Sequence, residues 1–352
     1  MHEVGKSVFQ KVGQDEVGME SLPVVTVVVP IRNEADCIAQ CLAAIWAQDY
    51  PVDRMEILVV DGESDDGTRD VIQSLPEHER VRILDNPRRQ QAFGMNVGIA
   101  AARGDYIVRI DGHTIIAPDY VRQCIVALQT TGAANVGGPM APMGRTPVGK
   151  AIAIATRSRF GVPSAFHVSD RPQYVDTVYL GAWPRWVLEK AGGFDGRLVN
   201  NQDYELNVRI RKQGGKIYMT PAIRSHYTPR DTYKALIRQY YRYGVSKTYT
   251  LRLHPRSLRL RQTAPPLLVA GLAFGLILAP FFHWAAVALA ILVGLYLAAV
   301  LVFSAVSLRH ADRGVWWRLP LVFMSLHLAW GVGFWRGLFR RIPSSSLSEP
   351  SA

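Results

Sequence analysis

The chain has 352 residues, more than one average domain, and its 40 Lys and Arg against 29 Asp and Glu give a formal net charge of +11. Its three cysteines (Cys37, Cys41 and Cys124) show no metal-type spacing and do not pair evenly, which argues against a disulfide-stabilised secreted domain. The N-terminus lacks the basic-then-apolar pattern of a signal peptide. We therefore expect the soluble part of the chain to lie in a reducing compartment, the cytosol.

The first half alternates β-type runs with helical periodicity, after a polar segment, residues 1–23, that we expect to be a flexible tail. Strands are predicted at Val24–Val29 (ended by Pro30), Glu56–Val60, Val81–Leu84 and Tyr106–Ile110. Helices are predicted between them at Glu34–Gln48, Asp66–Leu75 and Gln90–Ala102. This alternation predicts a parallel, doubly wound sheet, in which ligands bind beyond the carboxyl ends of the strands. Asp61, Asp85 and Asp111 all fall at such ends.

The pattern is less regular in the second half. Scattered Gly and Pro over residues 135–180 predict a mixed sheet with loops. A short helix is predicted at Pro184–Ala191 and another at Gln202–Gln213, capped by Asn200 or Asn201. We take residues 24–230 as one α/β domain, large enough to bury a substantial core.

A long apolar window follows, since residues 262–308 contain no Asp, Glu, Lys or Arg. It exceeds one bilayer crossing of about 20 residues and predicts two helical spans, near residues 267–282 and 284–306. The stretch Leu319–Trp335 is short for a third span and contains Pro320 and His327. We therefore expect two or three transmembrane helices over residues 265–340, followed by a tail over residues 341–352.

A basic and aromatic segment, residues 231–264, directly precedes this window. Its basic residues are Lys234, Arg238, Arg242, Lys247, Arg252, Arg256, Arg259 and Arg261, against the single acidic residue Asp231. Because the segment adjoins the spans, its charge favours a seat on anionic lipid over nucleic-acid binding.

The arginines around the spans predict the orientation of the chain. Arg309, Arg313 and Arg318 follow the second span, and together with the basic segment they indicate the cytoplasmic side by the positive-inside rule. Arg340 and Arg341 indicate the opposite arrangement. Either the C-terminus lies outside against the rule, or the third stretch is re-entrant.

The polar spacing that most suggests chemistry is Arg109-Ile110-Asp111-Gly112-His113. If the strand persists, Asp111 and His113 share one face, because strand side chains alternate. A carboxylate and an imidazole so placed can bind one divalent cation, which would neutralise a nucleotide-diphosphate leaving group. Each strand-end carboxylate taken alone is equally well a polar cap of the sheet.

Four ordered motifs together resemble those of family-2 glycosyltransferases with the GT-A fold. They are Val27–Glu34, Val59–Thr68, Gly181-Ala182 with Gly192–Asp195, and Asn201–Leu206. The resemblance covers residues 24–245, and the late apolar spans make the chain similar to membrane-anchored members that build lipid-linked exopolysaccharide repeats of the succinoglycan type. It implies an α/β, Rossmann-like nucleotide-diphospho-sugar transferase domain followed by C-terminal transmembrane helices.

The resemblance implies a donor site at the first two motifs. Pro30, Arg32 and Glu34 would line the nucleotide base and ribose. Asp61 would accept a hydrogen bond from the base, which suits a uracil N–H. Asp111 would contact the donor through the metal that it holds.

The resemblance also implies a metal and a base. Asp111 and His113 stand where the family has its Asp-x-Asp metal motif, and the imidazole suits Mn²⁺ better than Mg²⁺. His226 follows a predicted strand and is a candidate for completing the metal shell, although a lone His is more often structural. Asp203 stands at the position of the catalytic base, preceded by Gln202 where Glu is usual. That base would take the proton from the attacking acceptor hydroxyl.

A fifth segment, Gln239-Tyr240-Tyr241-Arg242-Tyr243, is similar to the Gln-x-x-Arg-Trp motif of related polymerising enzymes. Arg242 would hold the diphosphate and Tyr243 would stack on an acceptor sugar. The alternative is a basic aromatic helix on the membrane surface. Asn96, in the helix before the metal strand, would serve packing or the donor pocket.

These features predict inverting transfer of a hexose, from a UDP-sugar to a lipid-linked glycan, at the cytoplasmic face of an inner membrane. Inversion is favoured because one base candidate and no obvious nucleophile are present. Two alternatives stay open: polyprenyl phosphate or another lipid as acceptor, and a non-catalytic nucleotide-sugar-binding assembly subunit. The expected partners are the nucleotide-sugar donor, a polyprenyl-linked acceptor, membrane lipid and other polysaccharide-assembly proteins, but no nucleic acid.

Overall fold

The computed structural model describes residues 22–162, 164–227, 230–308 and 313–341. Nearly all of the predicted N-terminal tail, the C-terminal tail beyond residue 341, and Arg309 lie outside the described residues. The helices are α1 (Ile38–Trp46), α2 (Thr68–Gln73), α3 (Gln91–Ala101), α4 (Tyr120–Thr131), α5 (Pro147–Thr156), α6 (Ala165–Val168), α7 (Arg185–Ala191), α8 (Gln202–Lys212), α9 (Tyr233–Leu253), α10 (Ala264–Leu278), α11 (His283–Ser307) and α12 (Arg318–Leu338). The strands are β1 (Val25–Ile31), β2 (Met55–Asp61), β3 (Val81–Asp85), β4 (Tyr106–Arg109), β5 (Thr114–Ile116), β6 (Asn135–Gly138), β7 (Met140–Pro142), β8 (Gln173–Val175), β9 (Tyr179–Pro184), β10 (Ile217–Met219) and β11 (Ser225–Tyr227).

The main sheet has the strand order β3-β2-β1-β4-β9-β6-β10-β8. β1 to β4 are mutually parallel, which confirms the α/β prediction, while β9 runs antiparallel to β4 and β6. Every residue of β1 is buried, as expected for a parallel strand covered by helices on both faces. A second sheet, β5-β11-β7, lies beyond the end of β4.

Two predicted strand ends differ from the structure. Pro30 lies inside β1 and does not end it. The Val28 carbonyl accepts a hydrogen bond from the Ile110 amide, so the backbone of Val28 faces β4. The backbone nitrogen of Pro30, two residues later, faces the same side, where the pairing of β1 with β4 has already ended. The missing proline N–H therefore leaves no strand partner unpaired. β4 ends at Arg109, so Asp111 lies in the following turn and not on a persisting strand.

Two of the described helical segments, Leu260–Leu278 and His283–Ser307, are long and apolar enough to cross a membrane. Only 6% of each apolar window is buried inside the protein, which distinguishes both from core helices. The predicted third stretch forms α12, which is not among the described candidate spans. The residue boundaries assigned to the soluble and membrane parts stay predictions.

α12 packs along α9 over most of its length, and glycines permit this close contact. A Cβ at Gly333 would overlap the Tyr241 carbonyl, and a Cβ at Gly244 would overlap the Trp330 carbonyl. Arg252 donates to the carbonyls of Gly337 and Leu338 and so satisfies the C-terminus of α12.

The structure divides the basic segment into parts with different surroundings. Lys234, Arg238 and Arg242 are exposed and follow one another at helical spacing, forming a basic stripe along α9. Lys247 is buried, Arg252 caps α12, and Arg259 and Arg261 both pair with Asp176. Four of the eight cations are therefore engaged within the protein, and the predicted lipid-binding surface depends chiefly on this stripe.

Candidate active site

A cavity of about 450 Å³ lies beyond the end of β4, between the sheet, α8, α9 and α12. Five of the predicted functional residues line it: Asp111, His113, Asp203, Gln239 and Tyr243. They come from three separate parts of the sequence, so the fold brings together the predicted metal, base and acceptor positions.

Asp111 is held by two partners that also line the cavity. Arg109 donates from Nε to one carboxylate oxygen at 2.8 Å and from Nη2 to the other at 3.2 Å. Gln91, at the start of α3, donates to the first oxygen at 3.0 Å. Burial lowers the pKa of Arg109, but Asp111 and Asp203 outweigh burial and raise it, so the guanidinium is charged. Its Nη1 is buried without a hydrogen-bond partner among the described residues, which leaves one cationic donor available to an anion.

His113 lies 3.0 Å, from Nδ1, to a carboxylate oxygen of Glu34. Burial lowers the pKa of the imidazole, but the hydrogen bond to Glu34 and the charge of Asp111 outweigh burial and raise it. Arg230, which also lines the cavity, opposes that rise. Glu34 thus orients the imidazole, as carboxylates do for metal-binding histidines.

Asp203 lies in the first turn of α8 and lines the cavity. Asn201 occupies the N-cap position, as predicted, but its side chain makes no capping hydrogen bond and turns toward the Tyr243 carbonyl at 3.5 Å. Gln202, the residue where Glu was expected, donates to the Gln91 side chain at 2.7 Å. A chain of amides therefore links the base helix to Asp111.

The predicted donor-base residues are not among the described residues that line this cavity, although Glu34 hydrogen-bonds His113, which does line it. Pro30 is buried in β1, and Arg32 is exposed. Asp61 is fully buried and accepts hydrogen bonds from Ser64 and from Arg69. A direct hydrogen bond from a base to Asp61 therefore requires this loop to rearrange.

Two predicted residues are not brought to the cavity. Arg242 is exposed on the outer face of α9. His226 is exposed on β11, while its neighbours Ser225 and Tyr227 point inward, because strand side chains alternate. The structure gives neither side chain a contact with Asp111 or His113 in the part of the chain that it describes.

Three polar side chains that line the cavity were not among the predicted site residues: Arg109, Gln91 and Lys247. Arg109 had a usable signal, because it lies two residues before Asp111 in the same segment. Lys247 had one as well, since it lies roughly 140° around α9 from Arg242 and therefore off the basic stripe. Gln91 had none, because its role depends on where α3 meets the end of β4.

Comparison with known proteins identifies the relatives of this chain. The family model "Glycosyl transferase family 2" matches residues 26–161, and "Glycosyl transferase family group 2" matches residues 106–303. Succinoglycan biosynthesis protein ExoA of Rhizobium meliloti (strain 1021) is 33% identical over 330 residues, covering 90% of this chain and 96% of that protein. A Methanococcus voltae protein, named dolichyl N-acetyl-alpha-D-glucosaminyl phosphate 3-beta-D-2,3-diacetamido-2,3-dideoxy-beta-D-glucuronosyltransferase, is 26% identical, covering 90% and 97%.

A solved structure shares the fold. The mannosyltransferase PcManGT from Pyrobaculum calidifontis, in complex with GDP-Man and Mn²⁺, aligns with a TM-score of 0.57 and 20% identity. The alignment covers 90% of this chain and 87% of that one. This similarity confirms the predicted GT-A fold.

Proposed function

The chain belongs to glycosyl transferase family 2, and on that premise we propose that it transfers a hexose from a UDP-sugar to a lipid-linked glycan, with inversion at the anomeric carbon. The observation that carries this proposal is that Asp111 and Asp203 line one cavity, whose wall also includes Pro265 in the first turn of α10. A soluble donor and a membrane-held acceptor can therefore meet in one place. Membership in an enzyme family argues against the non-catalytic alternative.

Asp111 and His113 are the residues that would hold a divalent metal. The described residues contain no group of three or more His, Cys, Asp or Glu side chains suited to a metal. A site with few protein ligands is still compatible with a metal, because in phosphate sites one or two carboxylates commonly hold the ion while substrate oxygens and water complete the shell. Asp111 would be that carboxylate, and His113 would add an imidazole, which suits Mn²⁺. The metal, when bound, would neutralise the departing diphosphate.

The protein side chains perform the remaining steps. Arg109 Nη1 donates to a diphosphate oxygen and adds positive charge where the leaving group forms. Asp203 accepts the proton from the acceptor hydroxyl as its oxygen attacks the anomeric carbon, while the bond to the diphosphate breaks. A single displacement of this kind inverts the anomeric configuration.

The proposed acceptor is supported by the names of similar proteins, and the proposed location is supported by the apolar helices. One relative is named for succinoglycan biosynthesis and another for adding to a dolichyl-phosphate-linked sugar, which supports a lipid-linked acceptor for this chain. The two candidate spans and the exposed basic stripe of α9 support a catalytic domain on the cytoplasmic face of an inner membrane.

Asp203→Asn tests the proposal in membranes that contain the full chain. We expect transfer of radiolabelled sugar into the lipid extract to fall by about 10²-fold or more, because general base catalysis typically contributes this much. Binding of UDP with Mn²⁺ should be nearly unchanged. Asp70→Asn, an exposed carboxylate in the first turn of α2, is the matched control and should keep full transfer.

Full turnover by Asp203→Asn would contradict the assignment of the base. Label that appears on polyprenyl phosphate itself would identify the alternative acceptor. No transfer from any of a panel of donors, with Mn²⁺ or Mg²⁺ present, would contradict the proposed function.

A further inference from the structure

The cavity is also lined by two cations that the donor chemistry does not use, Lys247 and Arg261. Lys247 donates to the Ser257 carbonyl and Arg261 pairs with Asp176, so both are engaged by groups other than Asp111 and His113. Lys247 is only 3% exposed. Its Nζ donates to the Ser257 carbonyl at 2.9 Å and lies 4.3 Å from the centre of the Tyr204 ring. These are neutral partners, so within the described chain the buried ammonium has no carboxylate in direct contact.

The charges around Lys247 do not neutralise it. Asp176, whose charge raises the pKa of Lys247, already pairs with both Arg259, at 3.5 Å, and Arg261, at 3.2 Å. Burial lowers the pKa of Lys247 to about 8, and Arg259, Arg261 and Arg211 contribute to the fall. The ammonium is therefore still mostly charged near neutral pH, in surroundings that carry an excess of positive charge. An anion at this position would relieve both the burial and the repulsion.

An unsatisfied hydroxyl belongs to the residue whose carbonyl holds Lys247. The Ser257 hydroxyl is buried without a hydrogen-bond partner among the described residues, although its carbonyl accepts from both Lys247 and Tyr204. Buried polar atoms are rarely left unpaired. An oxygen-rich anion supplies acceptors for a hydroxyl and an ammonium together.

The cavity also has an apolar wall that continues to the candidate membrane helices. Leu326 and Trp330 of α12 line it, together with Pro265. Pro265 lies in the first turn of α10, within the candidate span Leu260–Leu278. A ligand bound here with its charged end at Lys247 has a continuous apolar path toward the bilayer.

We propose that Lys247 and Arg261 bind the phosphate or diphosphate group of a lipid-linked acceptor, whose hydrocarbon chain leaves along α10 and α12. The inference rests on the proposed function for its lipid-linked acceptor and names the side chains that recognise that lipid. Lys247, Tyr204 and Asp203 all line this cavity, and Tyr204 contacts Lys247 directly. On this proposal the acceptor sugar extends from its phosphate at Lys247 into the cavity toward Asp203.

The test measures direct binding of farnesyl diphosphate to the detergent-solubilised full chain in the presence of EDTA. Inorganic pyrophosphate and farnesol probe the charged and apolar parts separately, and UDP with Mn²⁺, in a separate buffer without EDTA, probes the donor site. We expect farnesyl diphosphate to bind more tightly than pyrophosphate or farnesol. Lys247→Met should weaken its binding by about tenfold or more, as expected for loss of a charge-assisted hydrogen bond. Arg256→Met removes an exposed cation from the same segment and should change nothing.

Three outcomes would overturn the inference. The first is equal affinity of wild type and Lys247→Met for farnesyl diphosphate. The second is a loss of UDP affinity that matches the loss for farnesyl diphosphate, which would assign Lys247 to the donor phosphates. The third is displacement of farnesyl diphosphate by short-chain phosphatidylglycerol at equal concentration, which would assign the site to bilayer lipid.

The binding assay is independent of turnover. A chain that binds farnesyl diphosphate through Lys247 but transfers no sugar to any lipid would contradict the proposed function alone. Normal transfer to a lipid acceptor with unchanged binding by Lys247→Met would contradict this inference alone.

Discussion

Replacing Lys247 by Met removes a buried ammonium while keeping an unbranched stem of similar length in the same packing. Burial lowers the pKa of Lys247 from 10.5 to about 8, and the neighbouring guanidinium groups add to this fall. The folded protein therefore disfavours the charged form, and the substitution removes that cost. The loss of the hydrogen bond to the Ser257 carbonyl and of the contact with Tyr204 acts in the opposite direction.

The pH dependence separates these effects. Below the folded pKa of about 8, the lysine is protonated in both states, and the folded state bears the full cost of the buried charge. Between about 8 and 10.5 the unfolded state binds more protons, so the stability of the wild type rises with pH. At about 1.4 kcal/mol per pH unit, the rise amounts to about 3 kcal/mol across this window. The Met variant lacks this rise.

Unfolding of the full chain in detergent, followed by intrinsic fluorescence from about pH 7 to 10.5, measures the prediction. The stability of Lys247→Met relative to wild type should be highest below about pH 8 and should decline toward pH 10.5. Lys234→Met, at an exposed position on the same helix, is the matched control, and its difference from wild type should be independent of pH. A constant difference between Lys247→Met and wild type over the whole range would refute the reasoning.

Three further predictions concern the hydrogen bonds between Asn96 of α3 and Phe194, the contact between α9 and α12, and the proposed metal ligand His113. Asn96 accepts from the Phe194 amide and donates to its carbonyl, each at 2.8 Å, so Asn96→Leu should lower the unfolding free energy by about 2–4 kcal/mol in chemical denaturation; a change under about 0.5 kcal/mol would contradict this. Gly333→Leu should separate α12 from α9 and lower the melting temperature of the protein. Gly294→Leu is the control and should be tolerated, because a Cβ at this helical position meets no neighbour. Equal changes in melting temperature for the two variants would exclude the close contact. His113→Ala should raise the Mn²⁺ concentration needed for half-maximal sugar transfer by about 10-fold or more, and an unchanged requirement would remove His113 from the metal site.

The strands that carry the site were predictable because parallel strands covered on both faces have continuous apolar runs. The prediction Val24–Val29 corresponds to β1, Val25–Ile31, and Glu56–Val60 corresponds to β2, Met55–Asp61. The small sheet β5-β11-β7 was not predicted, because each of its strands has three residues, too few to show alternation. That sheet nevertheless places Tyr227 in the cavity wall and turns His226 away from it.

The site itself was predictable only at the level of individual residue types. Asp111, His113 and Asp203 were chosen from motifs, and the structure places all three in one cavity. The amide chain from Asp111 through Gln91 to Gln202 depends on how α3 and α8 meet beyond the sheet, which sequence spacing does not encode. With Gln at position 202 this chain consists of neutral amides, so it orients Asp111 without adding a second negative charge beside the base.

The packing of α12 bears on the conflict between the arginines at the two ends of the apolar region. If the two candidate spans that contain α10 and α11 both cross the membrane, the chain returns to the side from which it left, and there α12 can lie along α9. A third crossing would carry Arg340 and Arg341 away from Arg252, which instead donates to the carbonyls that end α12. An even number of crossings thus satisfies the positive-inside rule at both ends and keeps α12 as a wall of the cavity, where Leu326 and Trp330 lie. On this arrangement α9 would carry both proposed contacts, its exposed basic stripe toward the lipid surface and Lys247 toward the acceptor.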